Sequence, residues 1–159
     1  MENYVYIAEN LAETKKLAQK LAQALDSRGV LICLYGDIGA GKTAFTRFLA
    51  EALGVKQKVT SPSFVILNEY RTEGINLYHF DLYRLEREGV ETILEELSEY
   101  TDKENSVTVV EWAEFSSGTL PENRIDIEIK YIDENRREFS IAAHGEKFAD
   151  IPEKMAVVE

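Results

Sequence analysis

Cysteine is almost missing from this chain. Cys33 is the single one among 159 residues, so no disulfide can form within the chain, which fits a reducing, cytoplasmic setting. Cys33 lies inside an apolar run and reads as a buried thiol, not a nucleophile. Long apolar runs are missing as well. None approaches the roughly 20 residues that cross a bilayer, so no membrane contact is expected. A leader pattern is absent too, because Met1-Glu2-Asn3 is not basic and no apolar segment follows it. Basic residues are scarce: 18 Lys and Arg stand against 29 Asp and Glu, for a net charge of −11. A large nucleic-acid footprint wants clustered cations, so any role in a nucleic-acid pathway is expected to run through protein partners. Simple solubility is an equally good reading of the charge. Repeats and low-complexity stretches are absent, and nothing in the sequence sets an oligomeric state.

What is present suffices for one domain with a packed core, since 45% of the residues are hydrophobic. The densest information lies in Gly36-Asp37-Ile38-Gly39-Ala40-Gly41-Lys42-Thr43, a complete G-x-x-x-x-G-K-[ST] loop. Glycines permit positive φ and turn backbone N–H groups toward phosphate oxygens. Lys42 is of a length to reach the β- and γ-phosphates, and the Thr43 hydroxyl suits Mg²⁺. The flanks agree with the motif. Val30 to Tyr35 is an apolar run of the kind found in buried parallel strands. Phe45, Phe48, Leu49 and Ala52 follow at helical spacing, with Gly54 as a stop.

Before the loop, Tyr4 to Ile7 reads as a short strand. Asn10 reads as an N-cap, with Glu13 completing a capping box. Leu11, Leu17, Leu21 and Leu25, helped by Ala18 and Ala24, form the apolar stripe of a helix ending near Gly29. After it, Phe64 to Leu67 and Ile75 to Phe80 read as a hairpin about a turn at Thr72-Glu73-Gly74. Val90, Ile93, Leu94 and Leu97 mark an acidic helix. Val107 to Val110 is a β-branched central strand. Residues 124 to 132 and 138 to 144 make an antiparallel hairpin, with Ile125, Ile127, Ile129 and Tyr131 on one face. The whole predicts an α/β, P-loop NTPase-like fold in three layers, with a central, mostly parallel sheet and antiparallel hairpin additions. One domain over 1–145 is expected, followed by a tail, 146–159, with few anchors and expected flexibility.

A phosphate loop needs an acid at the tip of a neighbouring strand to hold Mg²⁺. Asp81 and Glu111 each end an apolar strand. Glu111 follows the more apolar one and is favoured next to the metal. Asp81 is then placed in the metal shell or on the attacking water. An ordinary strand-end acid that caps a helix is the plain alternative for either. His79 lies two residues before Asp81, so the two share a strand face. Thr60-Ser61-Pro62-Ser63 sits where a γ-phosphate-sensing loop belongs. Trp112 is a candidate for packing on the nucleotide or on a partner, with core packing as its ordinary role. No Asn-Lys-x-Asp guanine-reading motif occurs, which favours ATP. Arg84 and Arg87 make only a thin lid for a small-molecule kinase, so hydrolysis coupled to a switch fits better.

Four segments in order, the loop at 36–43, Ser61-Pro62-Ser63-Phe64, His79-Phe80-Asp81-Leu82-Tyr83-Arg84-Leu85 and Glu111-Trp112, resemble the TsaE family. These are the P-loop ATPases of bacterial tRNA threonylcarbamoyladenosine biosynthesis. The resemblance covers roughly residues 4 to 145, and the stretch from His79 to Leu85 is its most specific part. It implies binding of ATP and Mg²⁺ and slow hydrolysis alone. It also implies action with the TsaB–TsaD pair, which transfers threonylcarbamoyl to an adenosine of certain tRNAs. The ATPase would reset that pair and meet tRNA only indirectly. Ile38, Gly39, Ala40, Gly41, Lys42, Thr43 and Ala44 would hold the nucleotide, with Asn10 near the adenine. Thr43 and Glu111 would hold the metal, and Asp81, Glu111 and Lys42 would serve hydrolysis. Residues 60–63 would be the switch. Ser63 stands where the family commonly has Thr, a change that keeps the hydroxyl. A non-hydrolysing nucleotide-binding regulator and a small-molecule kinase are the competing readings.

Overall fold

The computed structural model describes residues 3–26, 28–36, 40–56, 67–72, 74–81, 105–111 and 120–157, with only the backbone for Leu67, Asn68 and Asp81. Seven strands form one mixed sheet: β1 (Tyr4–Ala8), β2 (Val30–Tyr35), β3 (Leu67–Arg71), β4 (Asn76–Asp81), β5 (Ser106–Glu111), β6 (Arg124–Tyr131) and β7 (Arg137–His144). Their order is β1-β7-β6-β2-β5-β4-β3. The middle is parallel, with β2 between β5 and β6 and β4 beyond β5. Antiparallel strands flank it on both sides, β3 on β4 and β7 on β6, with β1 on β7. The expected parallel centre with antiparallel hairpin additions is what the chain forms, three of the six pairings being parallel and three antiparallel. The parallel strands are apolar because both faces are covered. Val30, Ile32 and Leu34 pack into the main core, while Leu31 and Cys33, on the other face, are equally buried. Burial also pushes the Cys33 thiol far above its ordinary value, with Asp126 adding to the shift, so it stays protonated and inert.

Helix α1 (Leu11–Leu25) begins where Asn10, in extended conformation, accepts a hydrogen bond from Glu13 N–H at 3.0 Å. Glu13 does reach back, but to Glu9 N–H at 2.7 Å, one residue ahead of the cap. The buried stripe is Thr14, Leu17, Ala18, Leu21, Ala24 and Leu25. Leu11 does not belong to it and is 66% exposed. The helix stops at Leu25 because Asp26 turns left-handed at φ 49°. Helix α2 (Lys42–Ala52) buries Phe45, Leu49 and Ala50 against α1 and the sheet. It ends as expected at Gly54, whose φ of 99° lets Gly54 and Val55 N–H groups close on Glu51 and Ala50 carbonyls. Ala52 lies outside the buried set.

Two expectations are corrected here. The segment beyond Gly145 has firm anchors: Phe148, Ile151 and Met155 are at most 2% exposed, and helix α3 (Ile151–Val157) packs on α1, β1 and β7. Its apolar residues are sparse in sequence but fall on one face, and each large buried side chain contributes about 1.5–3 kcal/mol. Tyr131 leaves the buried face of β6, being 57% exposed with the Arg137 guanidinium 4.5 Å from its ring centre. The acidic helix, the loop at 60–63, Trp112, Arg84, Arg87 and Phe64 to Ile66 lie outside the described residues.

Candidate nucleotide site

The site forms at the carboxyl ends of the parallel strands, where an open α/β sheet offers a crevice. Strand β2 delivers Gly36, whose φ is +149° and whose missing side chain matters: a Cβ there would stand 2.6 Å from the Ile129 carbonyl oxygen. Of the loop, Asp37, Ile38 and Gly39 lie outside the described residues. Ala40 is buried, and Gly41, at φ 106°, is the N-cap of α2. The first N–H groups of α2 therefore open on the mouth of the loop, where anions bind. Lys42 starts the helix and is 6% exposed, its ammonium donating to the Gly36 carbonyl across the loop. Thr43 follows with its hydroxyl 3.1 and 3.3 Å from the two carboxylate oxygens of Glu111.

Glu111 arrives from the tip of β5. Register explains the meeting: Glu111 pairs with Leu34 of β2 on one side and with Asp81 of β4 on the other. Three strand tips, those bearing the loop, Glu111 and Asp81, thus stand in a row. Asp81 is described by its backbone position alone. Glu111 is buried, and His79 from β4, with no exposed surface, bonds its Oε2 through Nε2. His79 Nδ1 has no hydrogen-bond partner among the described residues.

A cleft of ≈ 450 Å³ opens beside the loop. Its walls include Asn10 and Leu11 from the start of α1 and Ala40, Gly41 and Ala44 from the loop and α2. Glu134, Asn135, Arg137 and Phe139 from the β6–β7 hairpin close the other side. Leu11, an exposed apolar side chain on a cleft wall, suits a flat aromatic ligand better than a core position. Arg137 donates from Nε to the Ala40 carbonyl at 3.0 Å, tying the hairpin to the loop. The turn that carries Asn135 is stiff. Asp133 accepts from Asn135 and Arg136 N–H at 2.9 and 2.8 Å, and its bond to the Arg136 side chain holds its carboxyl below the usual range. These hairpin residues are absent from the sequence-based set. Nothing local marks a polar turn so far along the chain as part of the cleft.

The donor set fits the expected ligands. One hydroxyl and one carboxylate are oxygen ligands of the hard kind Mg²⁺ takes, and that ion keeps most of its sites for water and phosphate oxygens. Among the described residues no group of three or more His, Cys, Asp or Glu forms a self-contained metal cage.

A G-x-x-x-x-G-K-T loop that follows a central parallel strand and opens a helix starting with Lys-Thr makes this a nucleotide-binding protein of P-loop NTPase-like fold. The family described as "Threonylcarbamoyl adenosine biosynthesis protein TsaE" matches residues 8–139, and the chain belongs to the TsaE family. It is similar to the tRNA threonylcarbamoyladenosine biosynthesis protein TsaE of Bacillus subtilis (strain 168), at 38% identity over 92% of this chain and 90% of that protein. The Aquifex aeolicus (strain VF5) protein of the same name is 39% identical over 85% of this chain and 92% of its own length. The crystal structure of Bacillus subtilis YdiB superposes with a TM-score of 0.80 at 34% identity, covering 98% of this chain and 95% of that one.

Proposed function

We propose that this protein binds and hydrolyses Mg²⁺-ATP in the formation of tRNA N6-threonylcarbamoyladenosine, acting as a cytoplasmic switch on the TsaB–TsaD pair. The observation that carries the reading is the convergence of Thr43 and Glu111 at 3.1 Å beside Lys42 at the start of α2. Family membership directs that chemistry to tRNA modification. The bound Mg²⁺-nucleotide supplies an activated phosphoanhydride and the cation that screens it. The chain's own residues bind and orient. Lys42 turns its ammonium to phosphate oxygens, Thr43 and Glu111 hold the cation, and the cleft with Asn10 and Leu11 receives the base. Ile38, Gly39, Ala40, Gly41 and Ala44 contribute backbone to the phosphate cradle. Asp81, whose backbone is the register neighbour of Glu111, orients the attacking water. A net charge of −11 disfavours direct tRNA binding, so the path to tRNA runs through the protein pair. No helix among the described residues is long and apolar enough to cross a membrane.

Steady-state ATP hydrolysis, alone and with the TsaB–TsaD pair, tests the proposal. Slow turnover that rises with the pair is expected. Binding without turnover in both conditions would make the protein a non-hydrolysing regulator. ATP consumption matched by a phosphorylated small molecule would make it a kinase.

A further inference from the structure

We infer that His79 is a positioning residue that aims Glu111 at the cation site: it holds Oε2, so that Oε1, which meets the Thr43 hydroxyl, is the oxygen turned to the metal. The inference rests on the Mg²⁺-nucleotide reading above. Three observations carry it. First, His79 Nε2 bonds Oε2 alone, while the Thr43 hydroxyl meets both oxygens, at 3.1 and 3.3 Å, so Oε1 is the oxygen that His79 leaves unclaimed. Second, a carboxylate at a strand tip can swing about its side-chain torsions, and a donor on β4, a strand paired on both sides, removes that freedom. His79 sits on β4, two register pairs below Asp81 and Glu111 and on the same strand face as Asp81, with Val109 as its neighbour on β5. Third, the ring is poorly explained by packing. It is wholly buried, and its Nδ1 has no partner among the described residues. An apolar side chain would fill the space without leaving a polar atom unmatched. A half-satisfied buried imidazole is kept where its one bond matters, as with the outer partners that orient metal-binding carboxylates.

The bond needs only a donor at the position of Nε2. Gln places an amide nitrogen near there, whereas Asn reaches only the position of Nδ1. The test measures binding of adenylyl imidodiphosphate, a non-hydrolysable ATP analogue, by calorimetry on the full chain, in EDTA and across a Mg²⁺ series. For His79→Asn the Mg²⁺ concentration that half-maximally tightens binding should rise about 10-fold or more, the usual scale for such outer partners. Affinity in EDTA should be unchanged. For His79→Gln the midpoint should stay within about 3-fold of wild type, on the same reasoning. A general packing defect would instead weaken binding equally with and without Mg²⁺, and that outcome overturns the inference. So do equal midpoints in the Gln and Asn variants. Circular dichroism checks folding, and His79→Leu, which keeps the bulk and loses both nitrogens, replaces Asn should the latter not fold. A wild-type protein whose affinity ignores Mg²⁺ overturns the metal reading itself, and this inference with it.

Discussion

At the scale of single residues, the loop separates into groups that bind and groups that shape. Lys42 is a buried cation on the loop's own carbonyl. A charge-assisted contact to phosphate is worth about 1.5–3 kcal/mol, so Lys42→Ala should weaken ATP binding by about 10–100-fold in calorimetry. Asp81→Ala should leave binding within a few-fold and abolish turnover. Equal loss of both would instead make Asp81 structural or a principal metal ligand. Gly36 shapes. An alanine there meets the Ile129 carbonyl at 2.6 Å on top of an unfavourable φ, so Gly36→Ala should lose about 2 kcal/mol or more in urea unfolding. Gly54 is the control: its φ is +99° but nothing lies within 4 Å of a built Cβ. Gly54→Ala should therefore lose only the backbone cost of about 1 kcal/mol.

At the scale of elements, sequence periodicity placed the strands and helices but misjudged what lies at their ends. The start of α1 at Asn10 is legible in the sequence, but its end is expected near Gly29 and falls at Leu25 instead. Leu11, in phase with the stripe only approximately, lines the cleft and not the core, because the first turn of a helix can project past the layer it packs on. The terminal helix α3 was missed since seven residues are too few to show a period. Its anchorage also depends on a residue far away. Arg28 donates to the Ala24 and Leu25 carbonyls at the end of α1 and grips Asp150 with both arms, at 3.2 and 2.9 Å. One guanidinium thus caps one helix and tethers the start of another. Arg28→Ala should cost about 1–2 kcal/mol, the sum of modest surface terms, and Arg28→Lys should not restore it, lacking the fork. The Arg28 hydrogen bonds hold the Asp150 carboxyl below its ordinary value. A depressed carboxylate stabilises above its unfolded value near pH 4 and loses that contribution as the pH falls through the folded value. The stability gap between wild type and Arg28→Ala should therefore narrow below about pH 4, which unfolding curves at pH 3 and pH 7 would reveal.

At the scale of the molecule, the order of the strands explains both what the sequence told and what it withheld. Residues 36–43 announce phosphate chemistry locally, since every part of that device lies within eight positions. Glu111 and Asp81 were recognisable as acids ending apolar strands. That both stand in a row on one side of the loop depends on β5 lying between β2 and β4, and this is a matter of pairing over long range. The hairpin side of the cleft was not legible, because β6 pairs parallel to β2 and only then returns through β7 to bring Arg137 onto Ala40. The cleft is therefore bounded by the first helix, the loop and the last hairpin, three regions far apart in the chain. A ligand that touches all three should stabilise the fold as a unit. At 100 times its Kd, a nucleotide bound only to the folded state adds about 2.7 kcal/mol, or about 5–10 °C in Tm for a chain of this size. If Thr43 and Glu111 hold the cation as proposed, most of that gain should vanish when EDTA replaces Mg²⁺ in thermal melts with adenylyl imidodiphosphate. The acidic chain repels a polyanion that lacks its cation, so the EDTA curve should also depend more steeply on salt. A Tm gain of equal size with and without Mg²⁺ would show that the cleft and loop hold the nucleotide by base and phosphate contacts alone, leaving the Thr43–Glu111 pair a structural hydrogen bond.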